Sequence, residues 1–218
     1  MGRNADYNQR VRDERREQIL SHALRFFADR GLSATKITDI AAAVGMSQGL
    51  LYHYFRSKEE IFTEIIREAF VKMNAAARAL EELPLPPREK IRMAIVQLLR
   101  DIETSRDFAC TVMMIANAGI SDATPVEAQA VIREESGIPY AVVARIMQAG
   151  QWDGSIKPHD ATELSMVFWT VIKGLALHKA VNGTAFKAPD ARILTSMFFT
   201  EESEGDDHAE QSTWGNGS

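Results

Sequence analysis

The sequence predicts an all-α protein of about nine helices, an N-terminal helix-turn-helix head followed by a C-terminal helical body. Three observations carry that prediction. Apolar residues recur at spacings of three and four through most of the chain. Ser and Asp caps, glycines and prolines fall where helices should start and stop. No segment of useful length alternates with period two, so strands are not expected.

The elements follow in order. Residues 1–10 read as frayed. A first helix runs from Val11 to Arg30 on a stripe of Ile19, Leu20, Ala23, Phe26 and Phe27, and Gly31 stops it. The stretch Ile37 to Glu60, ITDIAAAVGMSQGLLYHYFRSKEE, then reads as two short helices folded about Gly45. Ile40, Ala41 and Val44 share one face of the first, and the small Ala41 permits a close crossing. Gly45 sits at the bend, where a left-handed backbone is cheap only without a side chain. Ser47 can cap the second helix. Leu51 and Phe55 return to the core, while Gln48 and Tyr52, with Gly49 and His53 beside them, face outward. A helix-turn-helix of this kind is suited to laying its second helix in the DNA major groove.

Ser57 with Glu60 is a capping box that opens a fourth helix, running to about Leu80. Its length, about 34 Å at ~1.5 Å per residue, is enough to join head and body. LPLPP, Leu83 to Pro87, is the clearest break in the chain. A fifth helix follows on Ile91, Ile95, Leu98, Leu99 and Ile102. Phe108 to Ala118 is apolar nearly all round, so a buried sixth helix is expected. Thr124, Pro125 and Glu127 read as a capping box opening a seventh helix, kinked or split at Gly137 and Pro139. Asp160 with Glu163 opens an eighth, SMVFWTVIKGLAL, apolar on more than one face, and Pro189 precedes a ninth around Leu194, Met197 and Phe198. The expected division is 1–57 for the head, 58–200 for the body and 201–218 for an acidic, disordered tail.

Charge is divided unevenly. The net value is −5, yet residues 1–58 carry ten Lys and Arg against six Asp and Glu, which leaves −9 on the remainder. A basic head on an acidic body suits a protein that touches phosphates at one end only. Cys110 is the single cysteine, so no intrachain disulfide forms, which fits a cytoplasmic location. The N-terminal residues lack the apolar core of a signal peptide, no run suggests a membrane span, and no membrane partner is expected. The five histidines have no metal-ligand spacing, so neither a metal nor a cofactor is expected. There is no phosphate-cradling loop, nucleophile elbow or H-E-x-x-H pair, so no enzymatic activity is expected.

The residues Ala28 to Gly31, Thr35, Ile40, Ala41, Gly45 and LLYHYFRSKEEIF from Leu50 to Phe62 resemble the TetR/AcrR family of bacterial transcriptional repressors. The resemblance covers about a quarter of the chain. It implies a three-helix DNA-binding head and a body that binds a ligand and dimerises. Carried over by position, Gln48 and Gly49 would face bases behind the Ser47 cap. Tyr52, His53 and Tyr54 would reach phosphates or base edges, although Tyr54 also shares a core face with Leu51. Lys58 would clamp a phosphate at a helix N-terminus, and Thr38 would lie on the exposed face of the second helix. Lys36 stands where the family usually has Ser or Thr, and would supply a charge contact in place of a hydroxyl.

Phe108, Met113, Met114, Tyr140, Met147 and Trp169 could line an effector cavity, with Asn117 and His178 as polar partners; the alternative for each is plain core. The expected partners are a palindromic double-stranded DNA operator, a small and largely apolar effector, and a second copy of the chain docked through the eighth and ninth helices. The alternative is an interaction protein that uses the same fold to hold a protein partner against its acidic body.

Overall fold

The computed structural model describes residues 2–201, and the tail expected at 201–218 lies outside that range beyond Glu201. The described residues form ten α-helices: α1 Gly2–Ala34, α2 Ile37–Ala43, α3 Gln48–Leu51, α4 Lys58–Glu82, α5 Pro87–Thr104, α6 Arg106–Ile120, α7 Val126–Glu135, α8 Gly137–Trp152, α9 Ala161–Asn182 and α10 Ala191–Phe198. The expected split at Gly137 yields α7 and α8, so the predicted eighth and ninth helices are α9 and α10. The fold is all-α, as the sequence predicts, with one isolated bridge between Ile156 and Phe199.

Several boundaries follow the expected chemistry. Gly31 takes φ 74° and breaks α1, after which one more turn runs to Ala34. Ser57 Oγ accepts from Glu60 N at 3.2 Å, and Glu60 reaches back to Arg56 N at 2.5 Å. Asp160 Oδ1 caps α9 by accepting from the backbone N–H groups of Thr162 and Glu163. Pro87 opens α5.

Three expectations need correction. Residues 1–10 do not fray at the described positions, because α1 begins at Gly2; Gln9 donates to Asp13 one turn on and supports it. Thr124 does not cap α7. Its hydroxyl donates instead to Ala118 O at 3.0 Å, and it is buried in doing so. The sixth helix is not buried all round: Ala109, Cys110, Met114 and Ala118 face inward, while Asn117 and Ile120 lie exposed. An apolar composition does not fix how many neighbours a helix acquires.

Two hydrophobic clusters fill the interior. One joins α1, α2, α3 and the first half of α4 to Cys110, Met114, Ala118 and Ala128 of α6 and α7. The other joins Ala77 of α4 to α5, α8, α9 and α10. Packing therefore runs continuously across position 57/58, and α4 belongs to both clusters. Among the described residues α9 alone could cross a bilayer by length and composition, but it packs on α5, α6 and α8 through Leu164, Phe168, Trp169, Ile172 and Ala176.

Polar contacts also tie head to body. Arg25 Nε and Ser21 Oγ donate to the two carboxylate oxygens of Asp107 at 2.9 and 3.0 Å, joining α1 to the first turn of α6. Burial pushes the Asp107 carboxyl up, but the hydrogen bonds from Arg25 and Ser21 outweigh it, and its pKa lies below the ordinary carboxylate value. A depressed carboxylate adds stability above its unfolded pKa, and that stability is lost as pH falls through the folded value. Thermal melting should therefore drop in acid below about pH 4, and Asp107→Asn should flatten that limb of the profile. Superimposable pH profiles for the two proteins would assign the acid loss elsewhere.

Candidate nucleic-acid interface

The helix-turn-helix is built from short pieces. α2 starts behind Lys36, whose extended backbone makes no side-chain cap. Gly45 turns the chain at φ 66°, a conformation costly for any residue with a Cβ. Ser47 then accepts from Leu50 N at 3.2 Å and opens α3. α3 itself spans four residues, and backbone bonds from Tyr54 and Phe55 to Leu51 O carry the turn onward. Leu51 and Phe55 are fully buried and Met46 packs against the same cluster, so the inward side is fixed.

The outward side is free. Gln48, Gly49, Tyr52 and His53 are exposed, and Tyr52 retains 46% of its surface. Gln48 Nε2 donates to Tyr52 Oη at 3.4 Å, one helical turn away. That contact holds an amide and a phenol side by side on the open face. Ser47, Lys36 and Thr38 are exposed beside them. The arrangement presents a carboxamide able to pair bidentately with adenine, flanked by groups that suit phosphates. Arg16 lies over the Phe55 ring at 4.5 Å and bonds Glu64 at 2.6 Å, bracing α3 from behind.

Two residues of the expected set fall elsewhere. Tyr54 is half-buried and packs against the head cluster, so the shared face with Leu51 decides its position. Lys58 does not point to an open anion site. Its ammonium donates to the backbone carbonyls of Leu32 at 2.7 Å, Ser33 at 3.1 Å and Thr35 at 2.9 Å. All three donors are used, and they close the carbonyl end of α1. Sequence spacing could not reveal this, because the partners lie more than twenty residues away.

The expected effector residues divide: Phe108, Tyr140, Met147 and Trp169 meet in the body cluster, where the Tyr140 and Trp169 rings lie 5.9 Å apart, and the other four lie elsewhere. Met114 belongs to the head cluster, and Asn117 and His178 are exposed. Met147 and Trp169 are core residues of the body, with Trp169 Nε1 donating to Pro139 O at 3.2 Å. Phe108 and Tyr140 pack at the edge of that cluster, where Tyr140 Oη accepts from Lys173 at 2.7 Å. Met113 is half-buried on α6. Burial of apolar groups accounts for most of these positions without a ligand.

Comparison with known proteins agrees with the geometry. Residues 19–65 match the family of bacterial regulatory proteins described as the tetR family. The chain is 38% identical over 77 residues to the HTH-type transcriptional repressor KstR2 of Mycolicibacterium smegmatis, a match covering 35% of this chain and 38% of that protein. The chain thus spans less than half the length of the curated relatives it matches first. The structure of the ketosteroid transcriptional regulator KstR2 of Mycobacterium tuberculosis superposes with a TM-score of 0.70 at 21% identity, covering 86% of this chain and 96% of that one. AibR in complex with isovaleryl coenzyme A and operator DNA gives 0.62 at 20% identity, with 84% and 97% covered. At such identities these structures establish a shared fold.

Proposed function

We infer that the chain, whose residues 19–65 match the tetR family of bacterial regulatory proteins, is a sequence-specific DNA-binding transcriptional repressor that releases a palindromic operator when a small, largely apolar effector enters its body. The observation that carries this reading is the exposed face of α3, with Gln48 and Tyr52 held together over a fully buried Leu51 and Phe55. Gly49, His53, Ser47, Thr38 and Lys36 complete the DNA-facing set. The curated relatives are named as regulators, and a DNA reader of this type works in the cytoplasm.

Two readers are needed for a twofold operator, and α9 with α10 supplies a surface for pairing. Met166, Thr170, Lys173, Gly174, Leu177 and Val181 recur at helical spacing along the outer side of α9, and all are exposed. Val181 keeps 77% of its surface. Ile193 and Met197 lie one turn apart on α10 and are exposed too. Met166, Leu177 and Val181 of α9 with Ile193 and Met197 of α10 are the apolar members of this surface, and exposed apolar groups gathered on one face suit an interface. Antiparallel packing of two copies would bury that face and set the α3 helices roughly one DNA turn, ~34–36 Å, apart.

A mobility-shift assay against a random operator library at fixed salt tests the reading. Selection of a palindrome is expected, and binding without base preference at every salt would end it. Gln48→Ala should then relax preference at one position per half-site, costing about 1–3 kcal/mol of discrimination there. The salt dependence of binding should stay unchanged, because no phosphate contact is removed. A variant that keeps the wild-type sequence preference would show that Gln48 reads no base.

A further inference from the structure

The geometry points to Asn74 as the polar anchor of the effector site, and to a ligand with an apolar body and a hydrogen-bond-donating head, an alcohol or an amine. This inference rests on the effector-release reading above.

Asn74 sits on α4 with 4% of its surface exposed. Its neighbours on that helix belong to different cores: Phe70 to the head cluster and Ala77 to the body cluster, with Met73 packed against both. The amide therefore lies in the seam between the two halves of the molecule, on the helix that joins them. Its Nδ2 donates to Glu135 Oε2 at 2.7 Å and to Glu135 O at 3.4 Å, at the C-terminal end of α7. Its Oδ1 is buried and has no hydrogen-bond partner among the described residues. Buried amide oxygens are rarely left so, because a lost hydrogen bond is costly in the interior.

The chemistry of the seam selects the head group. Oδ1 is an acceptor, so it asks for an O–H or N–H donor. The Glu135 carboxylate beside it adds negative charge to a site shielded from water. A carboxylate or phosphate head would meet like charge there, whereas a hydroxyl is tolerated and an ammonium is attracted. The partly buried apolar residues of these two helices are Met73 of α4 and Val131 and Ile132 of α7, all packed against the head cluster. α7 packs against α4 and has only Ala128 fully buried. A ligand that binds Oδ1 from that side must rearrange the Asn74–Glu135 contact. The same α4 begins at Lys58, which is bonded to the carbonyl end of α1. Movement at Asn74 is thus mechanically linked to the head.

The test uses the full chain and six probes: 1-octanol, octylamine, cyclohexanemethanol and cyclohexanemethylamine, against octanoate and cyclohexanecarboxylate. Thermal melting is followed at rising probe concentration. At least one alcohol and its matching amine should raise the Tm, and neither carboxylate should. Asn74→Leu removes the orphaned acceptor together with the Nδ2 donor to Glu135; it should remain helical and lose the response at least tenfold in concentration. Glu135→Gln should keep the alcohol response and abolish any advantage of amine over alcohol. Equal stabilisation by the carboxylates, an undiminished response in Asn74→Leu, or no response of the wild-type protein to the four neutral and amine probes would each overturn the assignment. A crystal structure of the wild-type protein with the best probe settles the matter even if Asn74→Leu fails to fold. The head group at Oδ1 supports the proposal, and a water there with the probe elsewhere defeats it. The melting series needs no DNA, so failure of operator binding would refute the regulator reading and leave the Asn74 result readable.

Discussion

Leu177→Arg is expected to yield a folded monomer that binds a two-half-site operator about a hundredfold or more weakly than the parent protein. The residue is exposed on α9, between Gly174 and Val181 on the apolar stripe. Its replacement removes no core contact, so the melting temperature of the single chain should hold. In a twofold interface, however, the change enters twice, and each new guanidinium faces apolar surface that cannot pair it. Loss of pairing then removes the gain from binding two linked half-sites, on the order of 10²–10⁴ in affinity. Analytical ultracentrifugation gives the mass, and titration of full and half operators gives the coupling. A half operator should bind the variant as well as it binds the parent. If the variant stays dimeric, the outer face of α9 is not the interface, and the reason for its apolar stripe must be sought elsewhere.

Lys58→Met should lower the stability of the head by about 2 kcal/mol and leave the salt dependence of DNA binding as it was. Methionine keeps most of the apolar stem and loses the ammonium. Hydrogen bonds to a charged group contribute ~1.5–3 kcal/mol each. Water can replace part of the loss, because the carbonyl end of α1 is only partly covered, so the sum is discounted well below three such bonds. A phosphate clamp would behave in the opposite way: melting unchanged, binding weakened to every sequence, and the slope of log affinity on log salt reduced by about one. Thermal melting and a salt titration on the same variant separate the two. An unchanged Tm with a shallower slope would return Lys58 to the DNA.

The contrast between Gln48 and Lys58 locates the limit of sequence reasoning here. Gln48 is placed by its immediate neighbours: Ser47 caps, Leu51 and Phe55 bury, and the remaining face of a short helix has to look outward. Lys58 also sits at a helix start, and by local rules it is an anion-binding lysine. Its actual partners are carbonyls freed where Gly31 breaks α1, and only the crossing of α1 over α4 brings them within reach. Tyr54 shows a milder form of the same effect, since a three-residue offset from Leu51 was enough to signal core but not to exclude the groove.

The effector residues expose a different gap. Phe108, Met113, Met147 and Trp169 stand out by residue type only, and apolar type alone does not separate a core wall from a ligand wall. Asn74 carries no signal in the sequence beyond being a polar residue inside a long helix. Its significance arises from burial at the junction of two hydrophobic clusters and from a partner sixty-one residues away.

By itself, the order of residues determined the helical class, most helix limits and the inward and outward sides of the helix-turn-helix, because all of these depend on contacts within a turn or two. The packing of distant helices alone decided which polar groups are spent on structure, which remain exposed, and where an amide is left buried with an unused acceptor, because hydrogen-bond partners far apart in the chain are assigned only when the helices cross.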